Sequence, residues 1–230
     1  MKRLLASTVL VLLAVGGLTA CSDGGDDAVV TVNGEEVLTE DELDDLLVEV
    51  SESDDLLAAQ GARGTGRDTI RRTWVTSSVL YYVVQSELLG QELDDEGIEL
   101  DDDATAAGEV VVDSILANPT DGTQPVTADQ LPDGLLELYR TYGARYSARV
   151  EAFGADLDEI IEFDPATTVF TDETVAALEQ ANDHLAELRA TADVEIAPAW
   201  GRWVEDDQGF SVAPPEGVGT TTTTLLVPEG

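Results

Sequence analysis

His184 is the only histidine in the 230-residue chain and Cys21 the only cysteine, so chemistry that needs a pair of either has no material. His184 sits in EQANDHLAEL, residues 179–188, beside apolar Leu185 but on the polar flank of its helix. That position suits a surface or half-buried imidazole better than a ligand or a base. A zinc site would rest on carboxylates almost alone, which is atypical of an ion that prefers nitrogen and sulfur ligands. Asp101-Asp102-Asp103 invites a calcium reading. Counted from Asp101, however, an EF-hand register puts Ala106 where the sharp turn needs glycine and Val112 where the bidentate glutamate belongs. The run reads instead as a helix cap and solvated face. No Gly-x-Ser-x-Gly elbow is present to anchor a Ser-His-Asp arrangement. The sequence therefore predicts no metal, no cofactor and no catalytic residue.

What positions the chain is legible at its start. Met1-Lys2-Arg3, an apolar run from Leu4 to Val15 and small residues before Cys21 describe a secretory signal peptide over residues 1–20. The run is short for a membrane span. Leu18-Thr19-Ala20-Cys21 resembles the lipobox of bacterial lipoproteins. That resemblance implies lipidation of Cys21 and anchoring at the extracytoplasmic face of the cell membrane, since two or more acyl chains give a stable anchor. Residues 21–28 then form a polar tether, with SDGGDD at 22–27.

Loss of Lys2 and Arg3 with the leader takes the formal charge from −37 to −39 and leaves a chain without lysine. Such a charge excludes nucleic acid as a partner, because binding to phosphates needs a basic footprint. It also opposes lying flat on an anionic membrane. A hydrophobic content of 43% is still enough to build a core, so the chain is not disordered throughout. Salt adaptation or a high-GC genome is the simplest source of the acidity.

Along the chain, Val29–Val32 and Glu36–Leu38 flank Asn33-Gly34, a strong two-residue hairpin signal. Thr39 and Glu42 make a capping box, and Leu43, Leu46, Leu47 and Val50 mark the inward face of the helix that follows. Residues 60–66 read as a loop. A central helix then carries Ile70, Trp74, Leu80, Val84 and Leu88, ending at Gly97 with Ile98 folding back. Asp101–Asp103 cap a helix through Ile115, and Asn118-Pro119 stops it. Residues 118–134 read as a long surface loop. The next helix has Leu135, Leu138, Tyr139, Tyr142, Tyr146, Val150 and Phe153 along one stripe. After a break at Asp164-Pro165, Thr171 caps a helix with Val175, Leu178, Leu185 and Leu188 inward. ADVEIAP, residues 192–198, is a closing strand, and residues 206–230 read as a disordered acidic and Thr-rich tail.

Three separated phrases carry a family resemblance. VVTVNGEEVLTEDEL, from residue 29, resembles the opening of the SurA-like N-terminal chaperone domain. SELLGQELDDEGIELDDD, residues 86–103, resembles that family's helix, acidic-Gly-Ile step and Asp-capped helix. ADVEIAPAWGRW, residues 192–203, resembles the closing strand of actinobacterial lipoproteins of this kind through Pro198, Trp200, Gly201, Arg202 and Trp203; Ala197 and Ala199 depart from it. The resemblance implies a mainly α domain over residues 29–205 with a small β clip (α+β), in which an N-terminal hairpin and a C-terminal strand close a helical cradle. It further implies unfolded or nascent secreted polypeptides as partners.

Relatives of this domain often carry a parvulin-type prolyl isomerase. Its paired histidines and Gly-Gly-x-Leu-Gly phrase have no counterpart here, so an isomerase stands as the lesser alternative to a holdase. A structural lipoprotein that binds one folded partner is the other. Candidate client-binding residues are Trp74, Tyr81, Tyr82, Tyr139, Tyr142, Tyr146 and Phe153, because an unfolded-chain binder exposes apolar and aromatic area. Against that reading, the same stripe could be packed core. Arg63, Arg67, Arg71 and Arg72, with Arg140, Arg145 and Arg149, either neutralise neighbouring carboxylates or line the cradle.

Overall fold

A computed structural model describes residues 27–54, 56, 76–117, 125–164, 167, 169–206 and 209–215. The fold is mainly helical with a small antiparallel sheet. Strands β1 (Ala28–Val32) and β2 (Glu35–Thr39) form the predicted hairpin. Asn33 and Gly34 both have positive φ, 52° and 84°, as a tight turn matched to strand twist requires. Strand β3 (Val194–Ile196) pairs with the other side of β1, giving the order β2-β1-β3. The ladder continues past the strand at both ends, with Ala197 N donating to Val29 O at 2.9 Å and Asn33 N to Asp193 O at 2.7 Å. The Asn33 side chain adds two more ties: Oδ1 accepts from Asp193 N at 3.1 Å and Nδ2 donates to Gln91 Oε1 at 2.8 Å.

Local signals place the helices. Thr39 Oγ1 accepts from Glu42 N at 3.3 Å while Glu42 Oε2 accepts from Thr39 N at 2.9 Å, so α1 (Glu40–Glu52) starts on the predicted capping box. Leu43, Leu47 and Val50 of α1 are buried and Leu46 is half-buried. Helix α2 (Thr76–Glu96) buries Val79, Leu80, Val83, Val84, Leu88, Leu89 and Leu93, and is covered on several sides. It ends where Gly97 takes φ 70°. Ile98 N reaches back to Leu93 O at 2.8 Å, and Gly97 N to Asp94 O at 3.1 Å. Asp101 caps α3 (Asp102–Ala117) by accepting from Ala104 N at 2.8 Å. Helix α4 (Asp133–Ala152) then crosses α3 at unusually short range. A Cβ at Gly108 would lie 2.5 Å from Ala144 N, and one at Gly143 2.5 Å from Gly108 O.

Three expectations need correction, and one helix was not foreseen. Between residues 118 and 134 the described part, from 125, is not a surface loop throughout: Val126 and Leu131 are buried around a 3-10 turn at Ala128–Gln130. A short helix α5 (Leu157–Ile161), capped by Asp156 and burying Leu157 and Ile160, precedes the 164–165 break. In α6 (Asp172–Thr191) the buried face is Thr174, Ala177, Ala181 and Leu185, while Val175 is 41% exposed. Leu185 of the expected face is buried, and Leu178 and Leu188 pack half-buried against the core beside these small residues, which a search for large apolar residues passes over. Finally, strand pairing continues into the expected tail: β4 (Arg202–Asp206) and β5 (Gly209–Ala213) form a second hairpin. Trp203 stacks between Tyr81, at 6.1 Å, and Phe210, at 5.8 Å, and Val212 is buried. These apolar contacts order residues that are low in complexity only further on.

Two substitutions test this account. Asn33→Gly keeps the positive φ and deletes the side-chain ties to Asp193 and Gln91. It should cost about 1–2 kcal/mol, a fall in melting temperature of roughly 2–8 °C; a melt indistinguishable from wild type removes Asn33 from the closure. Gly143→Ala gains about 1 kcal/mol in helix propensity, yet the overlap with Gly108 should leave a net loss of about 1–3 kcal/mol. Net stabilisation in denaturant titration would refute the close helix approach.

Candidate functional site

The aromatic residues singled out by the sequence mostly meet one another. Tyr82 of α2 contacts Tyr139 and Tyr142 of α4 with ring centroids 4.7 and 5.1 Å apart, and Tyr81 meets Tyr82 edge-on at 5.4 Å. Tyr142 stacks on Tyr146 at 6.0 Å. Tyr139, Tyr142 and Tyr146 are only 4%, 8% and 8% exposed. These three are core residues in this arrangement, not an open client surface. The reason is geometric: α2, α3 and α6 all pack on α4, so its stripe is covered from more than one side. Burial and the neighbouring tyrosines push the Tyr142 hydroxyl far above its ordinary pKa, and burial also raises that of Tyr146, whose hydroxyl donates to Asn182 Oδ1 at 3.1 Å. Tyr81, Tyr82 and Phe153 are half-buried. Trp74 and Cys21, together with Arg63, Arg67, Arg71 and Arg72, lie outside the described residues.

Arg140 and Arg149 of the second arginine group neutralise carboxylates, as one of the two readings had it, whereas Arg145 lines a groove. Arg140 Nε is 2.7 Å from Glu109 Oε1 at the surface. Arg149 has a side chain 3% exposed, with Nη1 2.8 Å from Glu96 Oε2 and Nη2 3.0 Å from Glu92 Oε2. The Glu92 pair is close in distance but too poorly aligned for a hydrogen bond. Half-buried His184 bonds through Nε2 to Glu92 Oε1. This junction ties α2, α4 and α6 together, and it engages the imidazole structurally. The Phe153 ring lies under the Arg149 guanidinium at 5.5 Å and edge-on to His184 at 5.6 Å. Among the described residues no three His, Cys, Asp or Glu side chains converge on a point that could hold a metal ion.

A groove of about 430 Å³ opens between β2, α1, α2 and α4. Val37 and Leu38 of β2, Leu46 of α1, Val83 of α2 and Leu138 of α4 form its apolar surface. Glu42, Asp45 and Glu49, on one flank of α1, and Glu87 of α2 give it carboxylates. Two of these are held in place: Glu42 by the capping box, and Glu49 Oε2 by Gly134 N at 3.0 Å. The second of these bonds also sets a negative charge at the positive end of α4. Arg145 lies at the groove with its guanidinium directly over Gly90, where a Cβ would come within 2.6 Å of Cζ. Its Nη1 donates to Ser86 O at 2.7 Å and to Ser86 Oγ at 3.1 Å, and is 3.7 Å from Glu87 Oε2.

No protein-family model, curated protein or solved structure matches the chain.

The geometry of the groove selects different residues from the ones the sequence put forward. Leu46 and Leu138 were visible as members of inward-facing stripes, and each turned out to sit at the margin of its stripe, half-buried. Val83, Asp45 and Glu87 carried no local signal of a site, because only the packing of three helices on one strand brings them together.

The core position of the tyrosines sets a pH dependence. A phenol whose pKa is raised in the folded state binds its proton more tightly there than in the unfolded chain. Stability from Tyr142 and Tyr146 is thus complete below the ordinary tyrosine pKa of about 10 and lost as pH rises above it. Tyrosinate absorbance from these two should appear only together with loss of helical circular dichroism. In Tyr142→Phe the alkaline unfolding midpoint should move to higher pH; free ionisation of all five tyrosines in a still-folded chain would contradict their burial.

Proposed function

We propose that the chain is a membrane-anchored extracytoplasmic lipoprotein of the SurA N-terminal type, a holdase for unfolded secreted polypeptides with no isomerase chemistry of its own. The observation that carries this reading is the groove. Its volume lies within the range of about 300–1,000 Å³ typical of ligand pockets, and its floor is apolar. The clip of β1 with β2 and β3 agrees with the architecture that the family resemblance implies. Anchoring through Cys21 would keep the groove near the site where chains emerge from the membrane. An inserted parvulin domain would require a small sheet between residues 133 and 191, and the described residues there belong to α4, α5, α6 and their connections.

Burial of Tyr139, Tyr142 and Tyr146 favours a second reading to a lesser degree. With those rings inside, apolar area is confined, as it would be in an interaction lipoprotein that recognises one folded partner. Client breadth separates the two. The mature chain should delay light scattering by several unrelated, chemically unfolded proteins at low molar excess. Protection of none of them, alongside tight retention of a single native protein, would replace the holdase with the second reading.

A further inference from the structure

We propose that the groove selects polypeptide segments in which aliphatic residues alternate with lysine or arginine, and that its carboxylates set the choice. The inference deepens the holdase reading and rests on it for the source of the ligand, an unfolded chain. A floor built from Val37, Leu46, Val83 and Leu138 accepts aliphatic side chains but does not distinguish among them. Discrimination must come from charge. Glu42 and Glu49 are fixed in place before any ligand arrives by their bonds to Thr39 and Gly134, so binding a cation costs them little ordering entropy. Asp45 is exposed on the same flank of α1, and Glu87 faces it from α2. The cation among the lining residues, Arg145, donates to Ser86 and lies 3.7 Å from Glu87 Oε2, so it offsets one of the four carboxylates and leaves Glu42, Asp45 and Glu49 without a basic partner in the groove. A Lys or Arg on either side of a seated aliphatic residue therefore meets a preorganised negative rim, while an acidic segment is repelled.

The charge of the whole chain does not explain the same preference. At physiological salt the screening length is about 8 Å, so carboxylates on distant helices contribute little to a cation in the groove. Position, not total charge, sets the preference.

The test uses the mature chain, residues 21–230, with Cys21→Ser, and three fluorescent octapeptides read by anisotropy at physiological salt. The sequences alternate Leu with Lys, Leu with Glu, and Ser with Lys. The Leu-Lys peptide should bind at least ~10-fold more tightly than either of the others, about 1.4 kcal/mol. Asp45→Lys combined with Glu87→Lys should weaken it by ~10-fold or more, whereas Glu179→Lys with Glu187→Lys, the same change in net charge on exposed positions of α6, should alter it by less than about 2-fold. Should the groove pair disturb folding, Asp45→Lys alone, exposed and outside the capping bonds, should show a smaller loss of the same sign. Equal affinity for Leu-Lys and Leu-Glu, or equal loss in the groove and α6 variants, overturns the proposal. Aggregation assays on the same proteins keep the two readings apart. Suppression by wild type that the groove variants retain leaves the holdase standing and removes the groove as its site. Groove-dependent peptide binding without suppression does the reverse.

Discussion

Backbone pairing between β1 and β3 joins Asn33 to Asp193, 160 positions apart in the chain, and β2 and the six helices of the described residues lie between those strands. Closing a loop of that length costs roughly 4–5 kcal/mol of chain entropy. The compensation is concentrated on β1, where Val29, Val30 and Val32 are each at most 2% exposed and contribute about 1.5–3 kcal/mol apiece. Asn33 makes the closure specific. One residue supplies the positive φ of the hairpin turn, the side-chain acceptor for Asp193 and the donor to Gln91 of α2. A residue that only turned the chain would leave β3 and α2 without that common point.

With the clip in place, α2 becomes the axis against which everything else is arranged. It has no single polar face because the sheet, α4, α6 and the β4–β5 hairpin each take a side. Burying charge in such a position is costly unless it is paired. The Arg149–Glu92–Glu96 junction meets that condition on a chain with a formal charge of −37. His184 adds a bond from α6 to the same Glu92, so the helix leading into β3 is tethered just before the strand that closes the fold.

The groove is a by-product of these constraints rather than a separate motif. The hairpin delivers Val37 and Leu38, the capping box sets the direction of α1, and the α4 start is pinned by Glu49. Gly90 lets Arg145 lie flat along α2 instead of filling the space. Fold and candidate site therefore depend on the same few bonds.

Local features were determined by the residues themselves: the Asn33-Gly34 turn, the Thr39–Glu42 box, the Gly97 stop and the Asp101 and Thr171 caps each involve atoms within a few positions of one another. The closing strand was also legible in ADVEIAP, within which β3 forms at Val194–Ile196. Tertiary structure alone decided what covers each face. The α4 tyrosines look the same in sequence whether solvent or α2 lies opposite, and periodicity names a stripe without naming its neighbour. The inward face of α6 includes Thr174, Ala177 and Ala181 beside Leu185, and the modest hydrophobicity of Ala and Thr conceals their burial. The close crossing at Gly108 and Gly143 is hidden likewise, since glycine marks flexibility as readily as proximity. Patterns of side chains along one element report its own surface; burial, and with it the choice between core and binding site, belongs to pairs of elements that meet only after the chain has closed.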